Sequence, residues 1–384
     1  MATSVAGTPH TGAYANIVPN PDLTWETSEQ LDFGFDARFL NSRLGVNFDW
    51  YKKTTKDWLI GGQQVSWDGT NPAAINGGDV KNTGIEIALT WNDKIGKDFG
   101  YNVGVNFTTN KNEVTRIANQ NHYINGPSGV LSQGTEYIYR AEEGKPIGYF
   151  YGMSYSGIFQ NQAQIDQYNA QSLAAHPGLE KATWDGAQPG DCIWDDWNGD
   201  GVITYAEGET CDRHEIGNPN PDVMLGVNLG FNWKGLDFAV NGAGAFGMQI
   251  MRSYRSFSDA PYQNYDTTIF NRWYGEGTSN DQPKISSTGS PNTNYVSTRY
   301  MEDADYFKIK TITLGYDFKN IWKGCPFQQL RLYVQAQNLI TFTGYTGLDP
   351  EVGNSAGGNG WASGVDLGLY PPSRTYLVGA SIKF

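Results

Sequence analysis

The acidic stretch DDWNGDGVITYAEGE, residues 195–209, carries oxygen-bearing side chains at the spacing of a calcium loop. It fits the pattern D-x-N-x-D-G-x5-E, in which the glycine, here Gly201, supplies a sharp turn. Because Ca²⁺ takes about six to eight hard oxygen ligands, such a loop can surround the ion. The predicted ligands are Asp196, Asn198, Asp200, the Val202 carbonyl, Thr204 and Glu207.

The surroundings of this stretch predict a structural ion rather than a signalling site. A signalling calcium loop lies between two helices, and no clear pair of helices flanks residues 195–209. The apolar Ile203 is expected to face inward. The alternative is a surface turn of Asx type that holds no metal.

Cys192 and Cys211 bracket the same loop. In an oxidising compartment they could form a disulfide that closes it. The alternative is a pair of free thiols, because the third cysteine, Cys325, already shows that not every cysteine in the chain need pair.

Tryptophans are conspicuous in the predicted loops. Aromatic faces suit both sugar rings and protein anchors, so these side chains are candidates for substrate contact. The alternative is that they pack the long loops together. The candidates are Trp67, Trp184, Trp197 and Trp361.

No catalytic set emerges from the sequence, so an enzyme is not predicted. Neither G-x-S-x-G nor H-E-x-x-H occurs, and the four histidines are scattered in predicted loops. The formal net charge of −13 argues against a nucleic-acid partner, since phosphate binding needs clustered Lys and Arg.

The elements that must position these loops are β-strands. Apolar and polar residues alternate along most of the chain, which predicts an all-β fold. In LDFGFDARF, for example, Leu31, Phe33 and Phe35 share one face. The roughly eleven predicted strands lie near residues 31–39, 43–51, 84–91, 101–108, 135–141, 147–157, 223–233, 236–248, 306–318, 330–338 and 374–384.

The connections between these strands alternate between short and long. This rhythm is typical of a transmembrane antiparallel β-barrel with short periplasmic turns and long extracellular loops. The terminal Phe384, on one face with Ile382 and Val378, resembles a barrel-assembly signal. The alternative is a secreted, calcium-stabilised, carbohydrate-binding β-sandwich, which explains the alternation and the acidity but not the rhythm.

Several stretches, in order along nearly the whole chain, resemble the SusC/RagA family of TonB-dependent outer-membrane transporters. The most specific are EGKPIGYFYGMSYSGIFQ (143–160), PGDCIWDDWNGDGVIT (189–204), IGNPNPD (216–222), DADYFKIKTITLGYDF (303–318) and LRLYVQAQNLITFTGYTGLDPEV (330–352).

The resemblance implies that residues 1–384 are the C-terminal half of a plugged barrel of about 22 strands in the bacterial outer membrane. The family's N-terminal extension, plug and first barrel strands would lie outside this chain. It also implies import of a nutrient, most often a glycan and in some members a peptide. The expected partners are a SusD-like surface lipoprotein, TonB acting through the missing N-terminal part, and the lipid bilayer.

Overall fold

The structure is a computed structural model. It describes residues 2–5, 8–11, 17, 19–62, 71, 73–131, 137–179, 182–184, 186–253, 265, 267–285, 290–351 and 363–384. Within these ranges, no helix has both the length and the apolar character needed to cross a bilayer.

Strands dominate the described residues. They are β1 (Ala2–Val5), β2 (Thr8–Thr11), β3 (Thr27–Phe39), β4 (Leu44–Gly61), β5 (Ala74–Ile95), β6 (Phe99–Ile117), β7 (Tyr123–Asn125), β8 (Tyr139–Glu142), β9 (Tyr149–Gly152), β10 (Tyr155–Ile158), β11 (Cys192–Trp194), β12 (His214–Gly217), β13 (Val223–Trp233), β14 (Leu236–Phe246), β15 (Gln249–Arg252), β16 (Met301–Asp303), β17 (Tyr306–Asp317), β18 (Gln329–Thr343), β19 (Val365–Asp366) and β20 (Thr375–Lys383). The helices are α1 (Gln162–Ala175) and α2 (Pro291–Asn294), with 3₁₀ turns at Thr267–Asn271, Thr298–Tyr300 and Phe318–Asn320.

One nine-stranded antiparallel sheet forms the frame. Its order is β20-β18-β17-β14-β13-β6-β5-β4-β3. Among the strands of this sheet, each one therefore pairs with those that come directly before and after it in the chain. The alternation of side chains predicted from sequence is confirmed in this sheet. An up-and-down arrangement of this kind is the arrangement of an outer-membrane barrel wall.

The apolar face of the sheet is open. Phe33 is 68 % exposed and Val378 is 86 % exposed, and both lie on the face that the sequence alternation marks as apolar. A β-sandwich would bury this face under a second sheet. Among the described residues no such second sheet covers it, so the sandwich alternative is not supported. Exposed apolar side chains on one face are expected where strands meet lipid.

Short turns join the strands at one end of the sheet. Lys234 and Gly235 have φ values of 48° and 92°, as the two-residue turn between β13 and β14 requires. The long connections all lie at the other end, where they follow β4, β6, β14 and β18. The predicted rhythm of short and long connections is therefore confirmed.

Two predicted strands lie outside the wall, so the prediction of eleven wall strands was wrong. The segments near 135–141 and 147–157 form β8, β9 and β10, which belong to smaller sheets. Because β6 pairs directly with β13, the whole stretch 118–222 is one connection. Because the prediction loses two strands at this point, an even number, the strands on either side, β6 and β13, still run antiparallel.

The main hydrophobic core lies in the long connections and not in the sheet. A buried cluster draws residues from three of these connections, which are thereby packed into one unit. Its members are Val130, Leu131, Ile138, Tyr139, Phe150, Met251, Val296 and Val365. A second cluster, formed by Met153, Ile158, Cys192, Trp194 and Ile203, lies beneath the acidic loop.

Candidate functional site

The acidic loop of residues 195–209 is shaped by its own side chains. Asp196 accepts hydrogen bonds from the N–H groups of Gly199 (2.8 Å) and Asp200 (3.2 Å) at Oδ1, and from Gly201 (2.8 Å) at Oδ2. Asn198 Oδ1 accepts from the Asp200 N–H at 2.8 Å. Such short-range side-chain to backbone bonds fix a tight turn.

Helix α1 holds this turn from outside. Ser172 Oγ donates to the Gly201 carbonyl at 2.6 Å, and His176 Nε2 lies 2.9 Å from the Gly199 carbonyl. Gly201 has a φ of 86°, and a Cβ at this position would lie 2.4 Å from His176 Nδ1. The glycine predicted from the motif is therefore required by both backbone geometry and the approach of α1. The inward position expected for Ile203 is also confirmed, since it is 9 % exposed.

Asp212 closes the loop, and sequence reasoning missed it. Its carboxylate accepts from the N–H of Trp197 at 2.9 Å and from the N–H of Thr204 at 2.7 Å, so it joins the two limbs. The residue is fully buried. Burial raises the pKa of its carboxyl, although these backbone hydrogen bonds act in the opposite direction. It lies five residues beyond the motif, where the D-x-N-x-D-G pattern gives no signal.

Glu207 faces a pair of arginines. Its carboxylate accepts from Arg140 Nη2 at 2.8 and 2.9 Å and from Arg213 Nη2 at 2.6 Å. The guanidinium of Arg140 is held between two rings, 3.8 Å from the Tyr123 centroid and 3.5 Å from the Tyr151 centroid. The result is a charged and aromatic cluster beside the loop.

These contacts test the fit of a calcium ion. Three predicted ligands, Asp196, Asn198 and Asp200, lie on one turn with Val202 directly after it. The predicted closing ligand, Glu207, is instead engaged by the arginines. Among the described residues, no group of three or more His, Cys, Asp or Glu side chains is placed to hold a metal. The Glu207 carboxylate is therefore not grouped with those of Asp196 and Asp200 in this structure, and the six-ligand set stays a prediction.

The cysteine pair predicted to bracket the loop is not bonded in the structure. Cys192 and Cys211 are both free thiols. Cys192 lies on β11 within the core cluster beneath the loop, where burial raises its pKa to about 12. Cys211 Sγ instead lies 3.7 Å from the Tyr151 hydroxyl and 3.7 Å from the Tyr205 carbonyl. Each sulfur has its own packing in this structure, and the disulfide stays a prediction for an oxidising compartment.

Two of the four candidate tryptophans can be placed. Trp184 packs against the core cluster beneath the loop, as the packing alternative anticipated. Trp197 is 62 % exposed, with its ring stacked on His214 at a centroid distance of 3.6 Å. Trp67 and Trp361 lie outside the described residues.

The polar face of the nine-stranded sheet is lined by asparagines that lie opposite glycines. Asn102 pairs with Gly230 and Asn106 with Gly226 between β6 and β13. A Cβ on Gly230 would lie 2.4 Å from Asn102 Oδ1, so the glycine makes room for the amide. This face is rich in hydrogen-bonding groups and also carries charged side chains, such as the paired Asp237 and Arg331. A polar interior of this kind is expected in a transport barrel.

The sequence is similar to those of known receptors. Residues 1–185 match a family model described as "TonB dependent receptor-like, beta-barrel". TonB-dependent receptor P3 of Formosa agariphila is 30 % identical over 370 residues, which cover 95 % of this chain and 35 % of that receptor. SusC of Bacteroides thetaiotaomicron is 26 % identical, with 95 % and 32 % covered. The chain thus spans about a third of the length of these curated relatives.

The fold is also that of a solved transporter. The RagAB peptide importer in its "open-open" state superposes with a TM-score of 0.74 at 25 % identity, over 100 % of this chain and 38 % of that one. Another RagAB structure gives a TM-score of 0.72 at 24 % identity, which supports the fold alone. Sequence and fold agree in matching this chain to the β-barrel of TonB-dependent receptors, where it fits the C-terminal half of a SusC/RagA-type barrel.

Proposed function

We propose that this chain forms part of the wall of an outer-membrane importer for nutrients. The observation that supports this most directly is the nine-stranded sheet itself. It carries an exposed apolar face, a polar face, short turns at one end and packed long connections at the other. An importer needs the first face for lipid and the second for its passage.

The proposed cargo is an oligosaccharide, with a peptide as the second possibility. The asparagines of the polar face support a hydroxylated cargo, as does the resemblance to a family whose members most often import glycans, whereas RagAB is a peptide importer. In the proposed assembly a SusD-like surface lipoprotein covers the long connections from outside. TonB supplies energy through a plug that belongs to the rest of the receptor.

Calcium is proposed as a structural ion of the acidic loop. The turn formed by Asp196, Asn198 and Asp200 supports it, and the engagement of Glu207 by Arg140 and Arg213 opposes it. Full coordination therefore requires Glu207 to leave the arginines. The proposed role is to rigidify a long connection close to the lipoprotein contact.

The test is the mass and composition of the native protein purified from detergent-solubilised outer membranes. We expect a membrane species of at least about twice the 42.4 kDa of this chain, with a surface lipoprotein attached. A water-soluble protein of the mass of this chain, without a partner, would overturn the proposal.

A further inference from the structure

A polar cavity opens where β6 and β13 part. Below this point the two strands are paired from Thr109↔Val223 onward. Above it β6 continues to Ile117 with β5 as its sheet neighbour. The chain between 145 and 147 and the chain between 218 and 222 form the other walls. The cavity is open to solvent on one side and has a volume of about 720 Å³, which is large enough for several sugar rings.

The floor of the cavity is a set of amides on the polar face of the sheet. Asn82 Oδ1 accepts from Asn112 Nδ2 at 2.9 Å and from Asn110 Nδ2 at 3.3 Å. Asn112 Oδ1 accepts from the Ile147 N–H at 2.8 Å, which ties the floor to the wall. The floor is therefore set before any ligand arrives, and a preformed site loses little entropy on binding.

The opposite wall carries two more amides. Asn218 Oδ1 accepts from the backbone N–H of Asn220 at 3.0 Å and from its Nδ2 at 3.2 Å. The backbone of Asn218 is fixed in turn, since its carbonyl accepts from the Gln249 N–H at 2.9 Å. Among the described residues, Nδ2 of Asn82 and Nδ2 of Asn218 take no partner, so both donors are available to a ligand.

The lining between the amides is mixed, because Thr83 and Thr109 contribute to it beside the apolar side chains. Pro146, Ile147, Pro221 and Met224 complete the walls, while the charged side chains Lys111 and Asp222 are exposed. Since the lining holds one cation and one anion, its formal charges cancel, and it gives no preference to an ionic ligand of either sign. Sugar units match the lining better, because each presents hydroxyls that donate and accept together with an apolar C–H face.

We infer that this amide cavity is a subsite for a neutral oligosaccharide, on the side of the sheet along which cargo would pass. The inference rests on the proposed function and adds to it a location and the side chains that contact the cargo. Asn82 and Asn218 donate to hydroxyl groups of the ligand, and the apolar walls pack against its rings. A peptide is the competing ligand, because its backbone amides could use the same donors.

The experiment uses the intact receptor in its own bacterium. Cells receive two probe mixtures: neutral oligosaccharides from partial hydrolysis of starch, xylan and mannan, and tryptic peptides of casein. Depletion of each mixture is measured by mass spectrometry, first against a strain that lacks the receptor. If that strain depletes both mixtures as fast as the wild type, the proposed function itself fails.

The cavity is then tested with chromosomal variants. Asn220→Trp fills the cavity from an exposed position, and Asn218→Ala removes one free donor. Asn294→Trp is the matched control, an exposed asparagine of α2 that does not line the cavity. Immunoblots of outer membranes establish equal receptor abundance.

We expect oligosaccharide depletion to fall at least tenfold in Asn220→Trp, to fall less in Asn218→Ala, and to stay within twofold of the wild type in Asn294→Trp. Receptor-dependent depletion of peptides alone would overturn the substrate class and leave the proposed function intact. Oligosaccharide depletion that is equal in all three variants would overturn the subsite.

Discussion

The ammonium group of Lys308 donates to both carboxylate oxygens of Asp349, at 2.9 and 3.0 Å. The two side chains are 2 % and 9 % exposed. Glu351 joins them at 2.5 Å and also pairs with Lys310. This network ties strand β17 to the connection that follows β18, and so fixes one long connection to the wall.

Replacing Lys308 by Met should strongly destabilise the receptor. The substitution leaves the Asp349 carboxylate buried without its counterion, which typically costs about 3–5 kcal/mol. Lys310→Met is the matched control, because Lys310 is 35 % exposed and an exposed pair contributes about 1 kcal/mol or less. Thermal unfolding of the detergent-solubilised receptor measures both. Equal midpoints for the two variants would contradict the structural role assigned to the buried pair.

Gly201→Ala should open the acidic loop. A positive φ costs a residue with a side chain about 1–2 kcal/mol, and the new Cβ would also collide with His176. Gly199→Ala is the control, since its φ of 71° carries the backbone cost while nothing lies within 4 Å of its Cβ. Limited proteolysis between residues 196 and 204 should therefore be clearly faster in Gly201→Ala. The same rate in both would show that α1 does not hold the turn.

The wall strands could be predicted from sequence because their environment is the same along their length. One face meets an apolar medium and the other a polar one, so Phe33 and Asp32 alternate as the period of a strand requires. The two segments misplaced in the wall lack this asymmetry. Tyr139 and Phe150 are both fully buried, with rings stacked at 5.2 Å, and β8 and β9 are buried on both faces.

The loop could be predicted in part for a related reason. The turn from Asp196 to Gly201 depends on contacts within six residues, so its sequence suffices to specify it. Glu207 is different, because its partner Arg140 lies 67 residues earlier in the chain. Lys308 and Asp349 are likewise 41 residues apart. Spacing alone carries no information about such partners.

Acidification should loosen the loop through His214. Burial lowers the pKa of this imidazole below its usual 6.5, although its hydrogen bond to the Asp212 carbonyl acts against burial. A lowered pKa means that the fold favours the neutral ring. The stability that the neutral His214 ring contributes is present above pH 6.5 and is lost as the pH falls through the folded-state pKa of this ring. Asp212 acts with the opposite sign, because a raised carboxyl pKa favours folding on protonation.

Hydrogen exchange of residues 195–214 at pH 7.5 and pH 5.5 measures this effect. Exchange corrected for its intrinsic pH dependence should be faster at pH 5.5 in the wild-type receptor. In His214→Phe, which retains a ring to stack on Trp197 but cannot be protonated, the faster exchange at pH 5.5 should disappear, and a remaining difference should have the sign expected for Asp212. If the variant keeps the full pH difference, another group controls the loop.

Calcium binding and the arginine contacts of Glu207 should exclude each other. An ion that uses the predicted ligands needs the Glu207 carboxylate, which Arg140 and Arg213 now hold. Titration of the chelator-treated receptor with Ca²⁺ should therefore show affinity reduced at least tenfold by Asp196→Ala and by Glu207→Gln. Glu209→Gln is the matched control, since this exposed glutamate lies just beyond the motif and should leave the affinity unchanged.

Calcium should also change the arginine cluster if Glu207 moves. Tyr151, packed against both guanidinium groups, lies in a segment whose hydrogen exchange should then differ between calcium and EDTA. Identical exchange in the two conditions, with no calcium bound, would assign the acidic loop to Asx-type turns alone. If Asp196→Ala no longer binds the ion but still binds the surface lipoprotein as the wild type does, the ion has no role at that contact. An ion that rigidifies the loop there must affect binding of the lipoprotein.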